Sequence, residues 1–221
     1  MGATFGAVLG QAVGVAISPV PIIAVILMLF SRSAKLNSSA FLVGWVLGLT
    51  VVGAVVLASG VSSSDGAPST ASGWIKVLVG VLFLALGVKQ WSNRPEAGEE
   101  ASVPAWMSKI DDFTAAKAFG AGVLLSAVNP KNLGLTLAAA ATIGGSGLST
   151  GDEYVVMLLF VVVASLTVAT PVILNLILGS RAEATLTSMK QWLTANNNTV
   201  MSVLFVVLGA NVLGNGLAIL A

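Results

Sequence analysis

The chain has 221 residues, of which 56% are hydrophobic and only 9% charged, with a formal net charge of +1. That composition lies far outside the range of soluble domains and places the chain among integral membrane proteins. It has no cysteine and no histidine, which excludes disulfides, thiol chemistry and iron–sulfur sites and removes the commonest transition-metal ligand.

Six apolar runs are legible, at residues 3–31, 37–61, 73–92, 113–147, 153–179 and 198–219. Each reaches or exceeds the ~20 residues a helix needs to cross a ~30 Å hydrocarbon core. The alternation of an outer-membrane barrel is absent, so helices are the only spanning structure left. No Lys or Arg precedes the first run and no small-residue cleavage site follows it, so it is expected to stay in the mature protein. Within it, Gly2, Gly6, Gly10, Gly14 and Ser18 recur every fourth position and line one helix face with small residues. The run is then broken by Ser18-Pro19-Val20-Pro21. A proline removes a backbone donor and clashes with the preceding turn, so two prolines two positions apart make an unbroken helix improbable.

The second run carries a GxxxG at Gly44 and Gly48, and the third is bracketed by Trp74 and Trp91, which suit the two membrane interfaces. Ser92–Val103 has the charge, proline and glycine of a linker. Trp106, Ile110 and Phe113 then recur at helical spacing, as expected of a helix lying on the membrane surface. The fourth run holds Ala118, Gly122 and Ser126 on one face and is broken at Asn129-Pro130-Lys131-Asn132. For these small-residue faces intramolecular packing is the ordinary reading and a homo-oligomer interface the second. Pro171 is expected to kink the fifth run, and Ala182, Leu186, Met189 and Leu193 form a second surface-helix pattern before the sixth.

The first and fourth runs, about 29 and 35 residues, would extend roughly 43 and 52 Å as continuous helix, too long for one straight crossing. Each therefore reads as two half-helices, and either a kinked crossing or a re-entrant V satisfies the prolines. Basic residues fall after run one (Arg32, Lys35), between three and four (Lys89, Arg94, Lys109, Lys117) and between five and six (Arg181, Lys190); the opposite loops carry Asp65, Asp152 and Glu153, with Lys76 the one basic exception. Basic residues resist translocation, so both termini are expected outside the cytoplasm, with the protein multi-pass in the cytoplasmic (inner) membrane.

The linker divides the chain into residues 1–92, a segment 93–112 with its surface helix, and 113–221. Three spans in each half require that a repeated second half enter the membrane upside down. Val81-Leu82-Phe83-Leu84-Ala85-Leu86-Gly87 matches Val203-Leu204-Phe205-Val206-Val207-Leu208-Gly209, and Ala16-Ile17-Ser18-Pro19 matches Ala127-Val128-Asn129-Pro130, in the same order within each half. The expected fold is thus all-α and integral to the membrane, six transmembrane helices in two inverted three-helix repeats, with spans one and four broken at proline.

Paired broken helices at corresponding points of two halves point to a central binding site. Their half-helix N-termini near Val20 and Lys131 are expected to offer orphan N–H donors and partial positive charge to an anionic group. Lys131 is the one charge expected deep in a span, with no Asp or Glu beside it. A charge there is a functional hypothesis by default, and the alternative is that it caps carbonyls freed by the break. The candidate substrate-binding set is Ser18, Pro19, Pro21, Asn129, Pro130, Lys131 and Asn132, with Gln11, Thr170, Asn175 and Asn211 as further polar groups; Thr136 is also placed to face the interior. No catalytic residue, metal site or cofactor is expected, because no nucleophile–base pair and no G-x-x-x-x-G-K-[ST] occurs.

The S-P-x-P break of span one, the N-P-K element of span four and the inverted halves resemble the lysine exporter (LysE) superfamily. Within it, Gly14-Val15-Ala16-Ile17-Ser18-Pro19-Val20-Pro21-Ile22-Ile23-Ala24-Val25-Ile26-Leu27-Met28-Leu29-Phe30-Ser31, with Phe41-Leu42-Val43-Gly44-Trp45-Val46-Leu47-Gly48, is similar to the actinobacterial GAP family of glycopeptidolipid- and sulfolipid-addressing proteins. The resemblance implies a cytoplasmic-membrane protein that helps move envelope lipids outward. It carries over Ser18, Pro19, Pro21, Asn129, Pro130 and Lys131 as matching positions and no catalytic residue. The electron carriers of the superfamily place cysteines beside the prolines where this chain has Ser18 and Asn129, so redox transfer is not expected.

The function expected is a transporter that exports or flips an amphipathic, anionic envelope lipid or glycolipid, its headgroup held at the paired breaks. One alternative is an exporter of an amino acid or other small polar solute; another is a non-transporting accessory subunit of a lipid-export machine, acting through its surface helices and the loop Arg94–Glu100. Partners expected are membrane lipids and the lipid substrate, with a homo-oligomer or envelope-biosynthesis proteins as further candidates and no nucleic acid.

Overall fold

The computed structural model describes residues 1–60, 70–94 and 105–221. Most of the Ser92–Val103 linker, and Asp65, lie outside these. The helices are α1 (Gly2–Ala16), α2 (Pro19–Leu29), α3 (Ala34–Ser59), α4 (Thr70–Ser92), α5 (Ala115–Val123), α6 (Pro130–Gly144), α7 (Thr150–Leu178) and α8 (Glu183–Leu220). A 3-10 segment, Ala105–Asp112, precedes α5, a π turn, Leu124–Val128, follows it, and a short 3-10 turn, Gly179–Ala182, joins α7 to α8. No strand occurs among the described residues.

Two stretches of the described residues are long and apolar enough to cross a membrane, Ala34–Ser59 and Thr150–Leu220, and α1 with α2 makes a third if the bent pair is one span. Val77–Ser92 and Ala115–Val128 are shorter apolar helices. Apolar helices of this length embed the protein in a membrane. The angle between α1 and α2 is 53°.

Two compact units are present, one of Met1–Ser64 with Val103–Gln191 and one of Asp65–Ser102 with Trp192–Ala221. In the first, α2 is the core element: Pro19 and every residue from Pro21 to Ile26, with Met28 and Leu29, are buried. A helix apolar on all sides has to be covered on all sides, and α3, α7 and the Ala105–Asp112 segment supply contacts to it. Glycine sets how closely α3 meets α5. A Cβ on Gly44 would collide with the carbonyl of Phe119, one on Gly48 with Ser126 Oγ, and one on Gly122 with the carbonyl of Phe41. The GxxxG of α3 and the small-residue face of α5 are therefore one intramolecular crossing. Gly2, Gly6 and Gly10 of α1 differ, since a Cβ on any of them meets nothing within 4 Å.

In the second unit α4 and the C-terminal part of α8 pack antiparallel. A Cβ on Gly80 would meet Leu213, one on Gly87 would meet Val206, and one on Gly209 would meet Leu84 and the carbonyl of Gly80. Ser202 Oγ donates to the carbonyl of Gly87 at 2.8 Å, and Phe83 and Phe205 meet with ring centroids 5.6 Å apart. At the end of α4, Asn198 donates to the carbonyl of Asn93.

Two local expectations change. The stretch from Ala182 to Leu193 is not a separate surface helix; Glu183–Leu220 runs as one α-helix of 38 residues. Ala182 and Leu186 are buried within the protein, as are Met107 and Ile110 of the 3-10 segment, so these apolar faces pack on protein rather than on lipid. Pro171, where a kink was expected, lies inside the continuous helix α7.

Candidate functional site

The break between α1 and α2 comes at Ile17 (φ −78°, ψ 75°) and Ser18 (φ −129°, ψ 90°). Ending a helix there strands the last carbonyls of α1, and in a membrane protein each needs a partner from the protein. All four have one. The carbonyl of Gly14 accepts from Lys131 Nζ at 2.8 Å and that of Ile17 from the same atom at 2.9 Å. The carbonyl of Val15 accepts from Ser18 Oγ at 2.7 Å. That of Ala16 accepts from Thr167 Oγ1 at 2.6 Å and from the backbone N–H of Ser18 at 2.8 Å. Side chains of α6 and α7 thus complete the hydrogen bonding of α1.

Lys131 reaches this position because α6 begins beside it. Asn129 (φ −58°, ψ 120°) is the one non-helical residue between the π turn and α6, and its Oδ1 accepts the N–H of Lys131 at 3.1 Å while Pro130 fills the first helical position. The third acceptor of the ammonium is Ser18 Oγ, at 2.7 Å. Three hydrogens meet three acceptors, and Lys131 is only 6% exposed. No carboxylate pairs with it among the described residues; the charge faces carbonyl dipoles at the C-terminal, negative end of α1.

Asn132, fully buried, ties the second break to the first. Its Oδ1 lies 3.2 Å from Ser18 Oγ and its Nδ2 donates to the carbonyl of Leu125 in the π turn at 2.8 Å. The single hydrogen of Ser18 serves either Val15 or Asn132. Thr136 Oγ1 donates to the carbonyl of Asn132 at 2.8 Å.

The structure thus brings Ser18, Asn129, Lys131 and Asn132 into one network, with Pro19, Pro21 and Pro130 fixing the two breaks. It does not bring in the others. Gln11 turns onto its own helix: with its amide oriented nitrogen-inward, it donates to the carbonyls of Ala7 and Val8 at 3.2 and 3.1 Å. Thr170 is exposed and donates to the carbonyl of Leu166 at 2.7 Å. Asn175 is half-buried on the last turn of α7, with no hydrogen bond from its side chain among the described residues. Asn211 belongs to the second unit, where its Oδ1 accepts from Asn215 at 3.1 Å.

Neither half-helix start is the open donor cluster expected of it. Pro19 and Pro21 have no N–H, leaving Val20 as the one donor among the first three residues of α2, and the N–H of Lys131 is already capped by Asn129. The positive charge that remains is that of the ammonium itself.

Thr167 escaped the sequence reading. No local signal marked it: Pro171 frees the backbone carbonyl of Thr167, whereas the bond to Ala16 is donated by its hydroxyl.

A family model described as Sap, sulfolipid-1-addressing protein, matches residues 8–218. No curated protein and no solved structure matches the chain.

Proposed function

The chain belongs to the Sap, sulfolipid-1-addressing protein family, and on that premise we propose that it moves an amphipathic, anionic envelope lipid or glycolipid toward the outer face of the cytoplasmic membrane. The observation that carries this reading is the buried ammonium of Lys131, held by neutral acceptors alone at the meeting of two helix breaks. An anionic headgroup oxygen brings a full countercharge to the ammonium, where the carbonyls it replaces bring only partial charges. Headgroup binding would therefore draw Lys131 off Gly14 and Ile17 and release the end of α1, giving the lipid a means to open the site that admits it. No catalytic step is part of the proposal.

Inverted repeats within a LysE-type fold are part of the same reading. If Val81–Gly87 is superposed on Val203–Gly209, Gly87 against Val206 becomes Leu84 against Gly209, Ser202 with Gly87 becomes Gly80 with Gly209, and Phe83 against Phe205 becomes itself. In the first unit α3 packs on α5 as α1 packs on α7, and α2 meets α3 and α7 as α6 meets α7 and α3. Such contacts are what a two-fold axis in the membrane plane produces. The contact of α1 with α6, through Lys131, has no equally extensive counterpart between α2 and α5, so the site is where the halves differ.

One observation favours a second reading. With all three donors of Lys131 filled, the lysine suffices as a helix cap, and the chain would then serve as an accessory subunit or carry its substrate elsewhere. The test is reconstitution in liposomes, following transbilayer movement of labelled phosphatidylglycerol and phosphatidylcholine. Lipid transport at the break predicts movement of the anionic lipid that Lys131→Met abolishes and Thr142→Val leaves intact. A folded wild type that moves neither lipid transfers the weight to the accessory role.

A further inference from the structure

A groove runs along the outer face of α5, lined by Phe113, Lys117, Gly120, Ala121, Leu124 and Leu125 and enclosing about 500 Å³. That size is within the range of sites that hold a small ligand. Gly120 keeps it open, since a Cβ there would meet nothing within 4 Å. Of the six lining residues only Lys117 has a polar side chain.

The two ends differ. At the inner end is Leu125, whose carbonyl is bonded to Asn132, so one hydrogen bond links the end of the groove to the network joining the two breaks. At the outer end is Lys117, exposed, its ammonium making no hydrogen bond or ion pair among the described residues. Among the described side chains of the preceding 3-10 segment, Lys109 and Asp112 are the other exposed charges. From Lys117 to Leu125 the helix advances about 12 Å, a cation at one end and hydrocarbon side chains along the rest.

We propose that this groove seats one acyl chain of an anionic membrane lipid, with the lipid's headgroup on Lys117. A soluble anion would leave the apolar length unused, and a neutral lipid would leave the cation unpaired; an anionic lipid satisfies both. The proposal rests on the lipid-handling reading and adds to it an entry point that feeds the break from the side. It places the headgroup at the basic, cytoplasmic end of α5, where an anionic leaflet supplies it.

The test is native mass spectrometry of the full chain released from nanodiscs containing equal phosphatidylglycerol and phosphatidylcholine, counting retained lipids. Wild type should retain phosphatidylglycerol preferentially. Lys117→Ala should reduce that preference about fivefold, the worth of one lysine near an anionic lipid surface. Gly120→Leu, which adds a side chain into open space, should remove the retained lipid of both kinds without lowering stability. Equal retention in wild type, Lys117→Ala and Gly120→Leu overturns the groove assignment while leaving transport at the break standing. The liposome assay on wild type separates the two ideas: retention that follows Lys117 and Gly120 in a wild type that moves neither lipid upholds the groove and removes the transport reading.

Discussion

Lys131 Nζ lies 2.7 Å from Ser18 Oγ, across 113 positions of sequence. Each residue belongs to a proline break in its own half of the chain, so one hydrogen bond joins the two irregularities. The cost of breaking α1 in a membrane is four stranded carbonyls, and the cost of burying an ammonium is its lost water. Each offsets the other here, so the lysine is accommodated with no carboxylate beside it among the described residues.

Lys131→Met should therefore destabilise the fold as well as any transport. It leaves the carbonyls of Gly14 and Ile17 without their donor, and a buried polar group deprived of its partner costs about 1–3 kcal/mol. Lys131→Arg should lose less, because a guanidinium still donates to several acceptors. Thermal unfolding in detergent ranks the three proteins; equal melting temperatures would show that α1 does not depend on the lysine.

Thr167→Val removes a hydroxyl and keeps the shape, so it isolates the bond to the carbonyl of Ala16. Interhelical bonds of this kind in membranes average about 0.6 kcal/mol and reach about 1.7. The substitution should lower stability by that order, whereas Thr170→Val, three positions on and bonded only within its own helix, should change nothing measurable. A larger effect at Thr170 than at Thr167 would contradict the placement of α7 against the break.

The contrast between those threonines shows what the sequence could tell. Helix breaks are local chemistry: two prolines or an Asn-Pro announce themselves wherever they fall, and Ser18, Asn129, Lys131 and Asn132 were legible because they sit on them. Which face of α7 meets α1 is set by packing, and a run of apolar residues interrupted by Thr167 and Thr170 gives no strong face to read. The same lack of contrast hid the fate of residues 182–193, whose amphipathic spacing suits a membrane surface and a protein surface equally. That every hydrogen of Lys131 would be taken at the break between α1 and α2 follows from three-dimensional closure and has no local signal.

Glycine spacing was legible, but its partners were not. Gly44→Ala and Gly122→Ala each place a Cβ against a backbone carbonyl, of Phe119 and Phe41, which cannot swing aside as a side chain can. Overpacking of this sort costs about 1–3 kcal/mol. Gly10→Ala on α1 meets nothing and should be neutral or slightly stabilising, since alanine is the better helix former. Comparing the three in one unfolding series separates a helix crossing from a glycine-rich face that packs on nothing within the chain; a large loss at Gly10 would mean that face is covered by a second copy.

The pairing of α4 with α8 makes the repeat testable without any substrate. The chain has no native cysteine, so introduced pairs report unambiguously. Gly87→Cys with Val206→Cys, and Leu84→Cys with Gly209→Cys, are images of one another if the two helices are related by a two-fold axis, and each pair places side chains in contact. Both should oxidise at similar rates, because disulfide formation depends on Cβ separation and direction, which the axis makes equal. A read-out by mobility shift after thiol labelling suffices. Rapid closure of one pair with none in the other would mean that the antiparallel packing is real but not symmetric, and the inverted-repeat reading would lose the contacts that support it in this unit.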